Sequence, residues 1–65
     1  MKQIRYITPG VEKMPGFVKE ELIRKFEHES QIKDDWFYEV RVGQIRFFVC
    51  DNGEDGYTAM LPSEY

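Results

Sequence analysis

The chain is poor in residues that staple or catalyse: it has one cysteine, Cys50, and one histidine, His28. A lone cysteine cannot close an internal disulfide, and small secreted domains usually carry several, so a reducing, cytoplasmic setting is expected. A zinc site needs further thiolate or imidazole ligands, which one Cys and one His far apart in sequence do not provide. The same two residues make a poor nucleophile and base, because no third group orients them and no local signature surrounds them. Catalysis is therefore not expected, and neither is a metal or other cofactor. Long apolar runs are missing too. Nothing approaches the roughly 20 consecutive apolar residues of a membrane-spanning helix, and MKQIRYITPG lacks the apolar stretch of a signal peptide, so no membrane association is expected. Positive charge is the last shortage: nine Lys and Arg stand against twelve Asp and Glu, a formal charge of −3. Such a chain has no overall positive field to draw it onto phosphate, which makes nucleic acid the less favoured partner.

What is there is the composition of an ordered domain, 42% hydrophobic, 15% aromatic and 32% charged, far from that of disordered segments. With 65 residues the chain reads as one α+β domain over 1–65, close to the smallest size at which a single core sustains itself. Ile4 and Tyr6 alternate with Arg5 and Ile7, predicting a strand over 3–7 that ends in a Thr8-Pro9-Gly10 turn. From Pro15 the period lengthens. Val18, Leu22 and Phe26, flanked by Phe17 and Ile23, form the apolar stripe of an amphipathic helix whose end falls between His28 and Lys33. Phe17, Val18, Leu22 and Phe26 are expected in the core, and Glu20/Arg24 and Glu21/Lys25 are spaced to pair along the opposite side. Strands are predicted over 36–42 and 45–50 around a Gly43-Gln44 hairpin turn, then over 57–61 before Pro62. The expected fold is β-α-β-β-β, a single helix packed on one face of a three- to four-stranded, largely antiparallel sheet.

The hairpin, WFYEVRVGQIRFFVC over 36–50, raises the functional question, because it carries large apolar side chains on both faces. With Gly43 and Gln44 at the bend, alternation places Tyr38, Val40, Val42, Ile45, Phe47 and Val49, joined by Trp36, beneath the helix. The reverse face then holds Arg41 opposite Arg46, Glu39 opposite Phe48 and Phe37 opposite Cys50, with Met60 from the last strand nearby. Like charges directly across a strand pair are destabilising by up to about 1 kcal/mol, so Arg41 and Arg46 need Glu39 or an outside partner. Phe37, Phe48 and Met60 beside arginines have the composition of a protein interface. Three readings of this face follow. It is roofed by the N-terminal arm, the LPSEY segment or loops; it binds a protein partner or a second copy of the chain; or it is a platform on which single-stranded nucleic acid stacks.

DNGEDG, over 51–56, invites comparison with a calcium loop. Asp51, Asp55 and Gly56 occupy suitable positions, but Gly53 stands where the third ligand belongs and Pro62 where a bidentate Glu is required, so the segment reads as a polar loop. Together with Asp34 and Asp35, the residues Asp51, Glu54 and Asp55 are expected to form an acidic rim suited to a basic surface on a partner. The acidic side of the helix, Glu20 and Glu27, is a poor imitation of a phosphate run because Lys19, Arg24 and Lys25 interrupt it.

At the two ends, RYITPGV followed by Met14-Pro15 and the closing LPSEY resemble the termini of a small family of uncharacterised proteins carried by phages and integrative elements of Gram-positive bacteria. The likeness is confined to the termini and assigns no chemistry to any position. What it implies is context: a small cytoplasmic protein of a bacterial host that acts by binding a host or rival protein. The expected function is a non-enzymatic protein-binding module, an inhibitor or adaptor. It would work through the helix-free sheet face, with Phe37, Arg41, Arg46, Phe48 and Met60 as its partner-binding residues. A single-stranded nucleic-acid-binding sheet and a homodimeric structural subunit are the alternatives.

Overall fold

The change of apolar period near Pro15 marks where sheet-forming and helix-forming parts of the chain divide. In the computed structural model, which describes residues 3–53 and 56–65, the chain runs β1 (Ile4–Ile7), α1 (Pro9–Glu12), α2 (Gly16–Ile32), β2 (Phe37–Val42), β3 (Ile45–Asp51) and β4 (Tyr57–Met60), then a 3-10 turn at Pro62–Glu64. The strands form one sheet in the order β1-β4-β3-β2. β2, β3 and β4 are a meander of antiparallel neighbours, whereas β1 lies parallel to β4. The fold is α+β as expected, with a mixed sheet. β1 is parallel because α2 carries the chain to the far edge and the three-stranded meander then brings β4 back beside it.

One segment departs from the expectation. Thr8-Pro9-Gly10 is not a turn but the start of α1, with Pro9 in its first turn, where a missing N–H is harmless. The helical path delivers Val11 to the core, fully buried. Gly43 behaves as predicted: its φ is +63° and that of Gln44 is not positive, the combination of a type II′ turn with Gly in the first central position. The hairpin register follows from that turn, pairing Val42 with Ile45 and, at the far end, Phe37 with Cys50.

Val18, Leu22 and Phe26 of α2 pack onto Tyr38, Val40, Phe47, Val49, Tyr57 and Ala59 of the sheet. Phe26 is the hinge of this core. Its ring meets Tyr38 edge-on at 5.2 Å and Tyr57 at 5.1 Å between centroids. Buried tyrosines need a partner for the hydroxyl, and here both find it in the connection that follows α2. Tyr38 Oη donates to the Lys33 carbonyl and accepts the Asp35 N–H at 2.9 Å, while Tyr57 Oη donates to the Asp35 carbonyl at 2.8 Å.

Two helix residues depart from the expected stripe. Phe17 is 74% exposed and Ile23 is also exposed, because Val18, Leu22 and Phe26 recur every four residues and define a narrow stripe, with each neighbour turned about 100° away. The charged side also differs in detail. Arg24 pairs with Glu21, and Lys25 leaves the helix surface to reach β2, its Nζ donating to the Arg41 carbonyl at 3.0 Å.

Phe26→Ala should remove the ring that both tyrosines pack against and cost about 3–5 kcal/mol, most of what a domain this small possesses. Thermal unfolding followed by circular dichroism should show the variant largely unfolded at 25 °C, whereas Phe17→Ala should melt within a few degrees of the parent.

Candidate functional site

Strand alternation sorts the sheet as the turn at Gly43 dictates. Tyr38, Val40, Phe47, Val49, Tyr57 and Ala59 are buried under α2, while the intervening residues are half-buried or exposed. The helix-free face therefore consists of cross-strand rows: Phe37, Cys50 and Thr58; Glu39, Phe48 and Met60; Arg41 and Arg46. All five expected partner-binding residues, Phe37, Arg41, Arg46, Phe48 and Met60, share this face.

Its centre is aromatic. The Phe37 and Phe48 rings lie 5.0 Å apart, and Tyr65 meets each of them edge-on at 5.6 Å. Trp36 extends the row, its ring 5.7 Å from Phe37. This corrects the expectation that Trp36 lies beneath the helix. It precedes the first residue of β2, so strand alternation does not bind it, and its ring turns to the open side. The roofed reading holds in part, since the C-terminal segment does cover Phe37 and Phe48. The cover is itself aromatic and outward-facing: Trp36 is 61% exposed and Tyr65 68%. Between them lies a shallow groove of about 420 Å³ lined by Lys33, Asp35, Trp36, Phe37 and Tyr65.

Glu64 holds Tyr65 in place. Its Oε1 accepts the Thr8 hydroxyl at 2.5 Å and the Leu61 N–H at 3.0 Å, and its Oε2 accepts the Gly10 N–H at 2.9 Å. Gly10 is what permits this approach. A Cβ there would lie 2.7 Å from Leu61 Cδ1 and 2.8 Å from Glu64 Oε1. The hydrogen bonds from Thr8, Leu61 and Gly10 hold the Glu64 carboxyl below its ordinary range.

The facing arginines are resolved unequally. Arg46 Nη1 pairs with Glu39 Oε2 at 3.4 Å, and its guanidinium carbon stands 5.9 Å from the centre of the Phe48 ring. Arg41 has no acidic side chain paired with it among the described residues. Cys50 lies on the same face opposite Phe37, and burial pushes its thiol pKa up. His28 lines a different groove, between α2 and β2, so the sheet separates it from Cys50. Among the described residues no group of three or more potential metal-ligating side chains gathers in one place, and no helix is long and apolar enough to cross a membrane.

Of the residues expected in an acidic rim, Asp34 and Asp35 precede β2 and Asp51 ends β3. The Asp51 N–H donates to the Trp36 carbonyl at 2.8 Å, which brings Asp34, Asp35 and Asp51 to one end of the sheet, beside Trp36. Asp35 and Asp51 also serve the chain locally: Asp35 accepts the Trp36 N–H at 2.7 Å and sits 3.6 Å from Lys33 Nζ, and Asp51 accepts the Gly53 N–H at 2.8 Å. Glu54 and Asp55 lie outside the described residues. Sequence reasoning missed Trp36 and Tyr65 as members of this face and Glu64 as the residue that positions Tyr65. The one available signal was the terminal LPSEY, recognised only as a potential cover. Comparison with protein-family models, curated proteins and solved structures finds no match for this chain.

The Glu64 contacts set a sign for pH. With the folded pKa depressed, the stabilisation they give is complete above the ordinary glutamate pKa and is lost as pH falls through the depressed value. An acid titration followed by NMR should therefore show the ring-current shifts of Phe37 and Phe48 collapsing as Tyr65 leaves. Glu64→Gln should display the collapsed shifts already at neutral pH. Parent-like shifts in that variant would show that something other than Glu64 anchors the terminus.

Proposed function

We propose that the chain is a non-enzymatic protein-binding module that engages its partner through the helix-free sheet face. The observation that carries this reading is the contiguous aromatic row of Trp36, Phe37, Phe48 and Tyr65, whose two outermost rings are mostly exposed. Large exposed aromatics in mutual contact are held in place before binding, so they lose little freedom when a partner covers them, and Trp and Tyr dominate the energetics of protein interfaces. Asp34, Asp35 and Asp51 beside Trp36 favour a partner with an apolar recess and basic residues at its margin.

A protein suits this face better than a nucleic acid. The net charge is −3, and Arg46, which stands over Phe48, is already neutralised by Glu39. The resemblance of the termini to phage and integrative-element proteins supports a target in a bacterial cytoplasm, with the chain acting there as an inhibitor or adaptor.

Trp36→Ala tests the proposal without touching the core. A target captured from a bacterial lysate on the immobilised chain, identified by mass spectrometry and then purified, should bind the variant about 30-fold or more weakly, the loss typical of an aromatic anchor. The melting temperature should stay within a few degrees. Undiminished affinity in Trp36→Ala and Tyr65→Ala alike would remove this face from the interaction, and salt-dependent retention of single-stranded oligonucleotides would favour the nucleic-acid reading instead.

A further inference from the structure

Among the described residues β2 is an edge strand, paired with β3 alone. In a two-residue hairpin the residues flanking the turn, Val42 and Ile45, form a hydrogen-bonded pair, so alternate residues of β2 direct their N–H and C=O groups away from β3. Those residues are Phe37, Glu39 and Arg41. Two contacts agree with this assignment: the Trp36 carbonyl faces inward to the Asp51 N–H at 2.8 Å, and the Arg41 carbonyl faces outward to Lys25 Nζ at 3.0 Å. Beside the edge runs a groove of about 760 Å³, between β2 and the side of α2 that carries Arg24, Lys25, Glu27 and Glu29.

Glu39 and Arg41 stand two residues apart on this edge, both exposed, on one face of the strand and of opposite charge. That spacing is self-complementary. A second β2 laid antiparallel about a twofold axis through Val40 puts Glu39 of each copy opposite Arg41 of the other. Both members of each pair direct their main-chain groups outward, so they exchange backbone hydrogen bonds, the Glu39 N–H of one copy replacing or joining Lys25 Nζ at the Arg41 carbonyl of the other, while their side chains form an ion pair. The same axis keeps the two α2 helices on one side of the joined sheet. α2 runs antiparallel to β2, since Lys25 sits at Arg41 while Lys33, just past the helix, sits at Tyr38. The twofold therefore turns the cationic stretch of the groove, Arg24 and Lys25, toward Glu27 and Glu29 of the other copy.

We propose that the chain forms a symmetric homodimer by pairing β2 with β2, joining two four-stranded sheets into one. The occupant of the edge is a second copy because the edge carries the pattern that complements itself, as closed twofold interfaces require. The dimer sets beside each Arg41, which has no acidic side chain paired with it among the described residues, the Glu39 carboxylate that Arg46 of the other copy shares, and it merges the two aromatic faces into one surface. It rests on the edge and not on the partner-binding reading of that face.

Sedimentation equilibrium over a concentration series tests the proposal. The parent should show a reversible monomer–dimer equilibrium. Glu39→Lys and Arg41→Glu each set like charges against each other at two symmetry-related places, and each should raise the dimer dissociation constant by about tenfold or more. Arg41→Gln, which removes attraction without adding repulsion, should fall between these variants and the parent. Mixing the Glu39→Lys and Arg41→Glu chains should restore dimer, because in the mixed pair every introduced charge faces its opposite. A parent that stays monomeric to about 1 mM, single variants that dimerise as tightly as the parent, or a mixture no tighter than its components would each overturn the edge-paired dimer. The second outcome would assign self-association to another surface, the aromatic face included.

Discussion

The placement of Phe26 between Tyr38 and Tyr57 is the constraint from which the rest of the structure follows. Ring packing alone would join α2 to the sheet. The two phenol hydroxyls do more, because they bind the main chain at Lys33 and Asp35 and so fix where the chain leaves the helix and enters β2. A tyrosine can serve both ends of that arrangement at once, with an apolar ring in the core and a polar tip at its margin. Once the entry point is set, the Gly43 turn fixes the register, and register decides which residues of the hairpin face α2 and which face away.

With a single long helix, the domain covers one side of its sheet and leaves the other to be managed by other means. The C-terminal segment supplies a partial substitute, placing Tyr65 against Phe37 and Phe48 and fastening it through Glu64 to the start of α1. The cover is thin and polar at its anchor, unlike the apolar packing beneath α2. The two sides are thereby packed differently: the side under α2 holds the buried core, whereas the open side presents the exposed rings of Trp36 and Tyr65.

Much of this was legible in the sequence because the governing interactions were local. Gly43-Gln44 defined the hairpin and hence the partition of Tyr38, Val40, Phe47 and Val49 from Phe37, Arg41, Arg46 and Phe48. The fourfold spacing of Val18, Leu22 and Phe26 defined the helix and its buried stripe. What was not legible depended on partners distant in the chain. α1 forms where Pro9-Gly10 suggested a turn, since Val11 has a place in a core made by residues far along the sequence. Trp36 lies just outside the strand that would have fixed its direction, and it follows Phe37 instead. Tyr65 and Glu64 acquire their roles only when the two termini meet, a juxtaposition separated by 54 residues at the Gly10–Glu64 hydrogen bond.

The position of β4 between β1 and β3 bears on how the protein comes into being. Among the described residues β4 comes last of the strands in chain order yet lies inside the sheet, and until it is made β1 has no strand beside it and β3 has only β2. Vectorial synthesis up to that point therefore yields a hairpin and a nascent helix, not a closed sheet, and the sheet can close only after Tyr57–Met60 has cleared the exit tunnel. A chain that stopped before Tyr57 would carry unsatisfied strand borders on β1 and β3, the kind of product that cells encounter as an aggregate or a substrate for proteolysis.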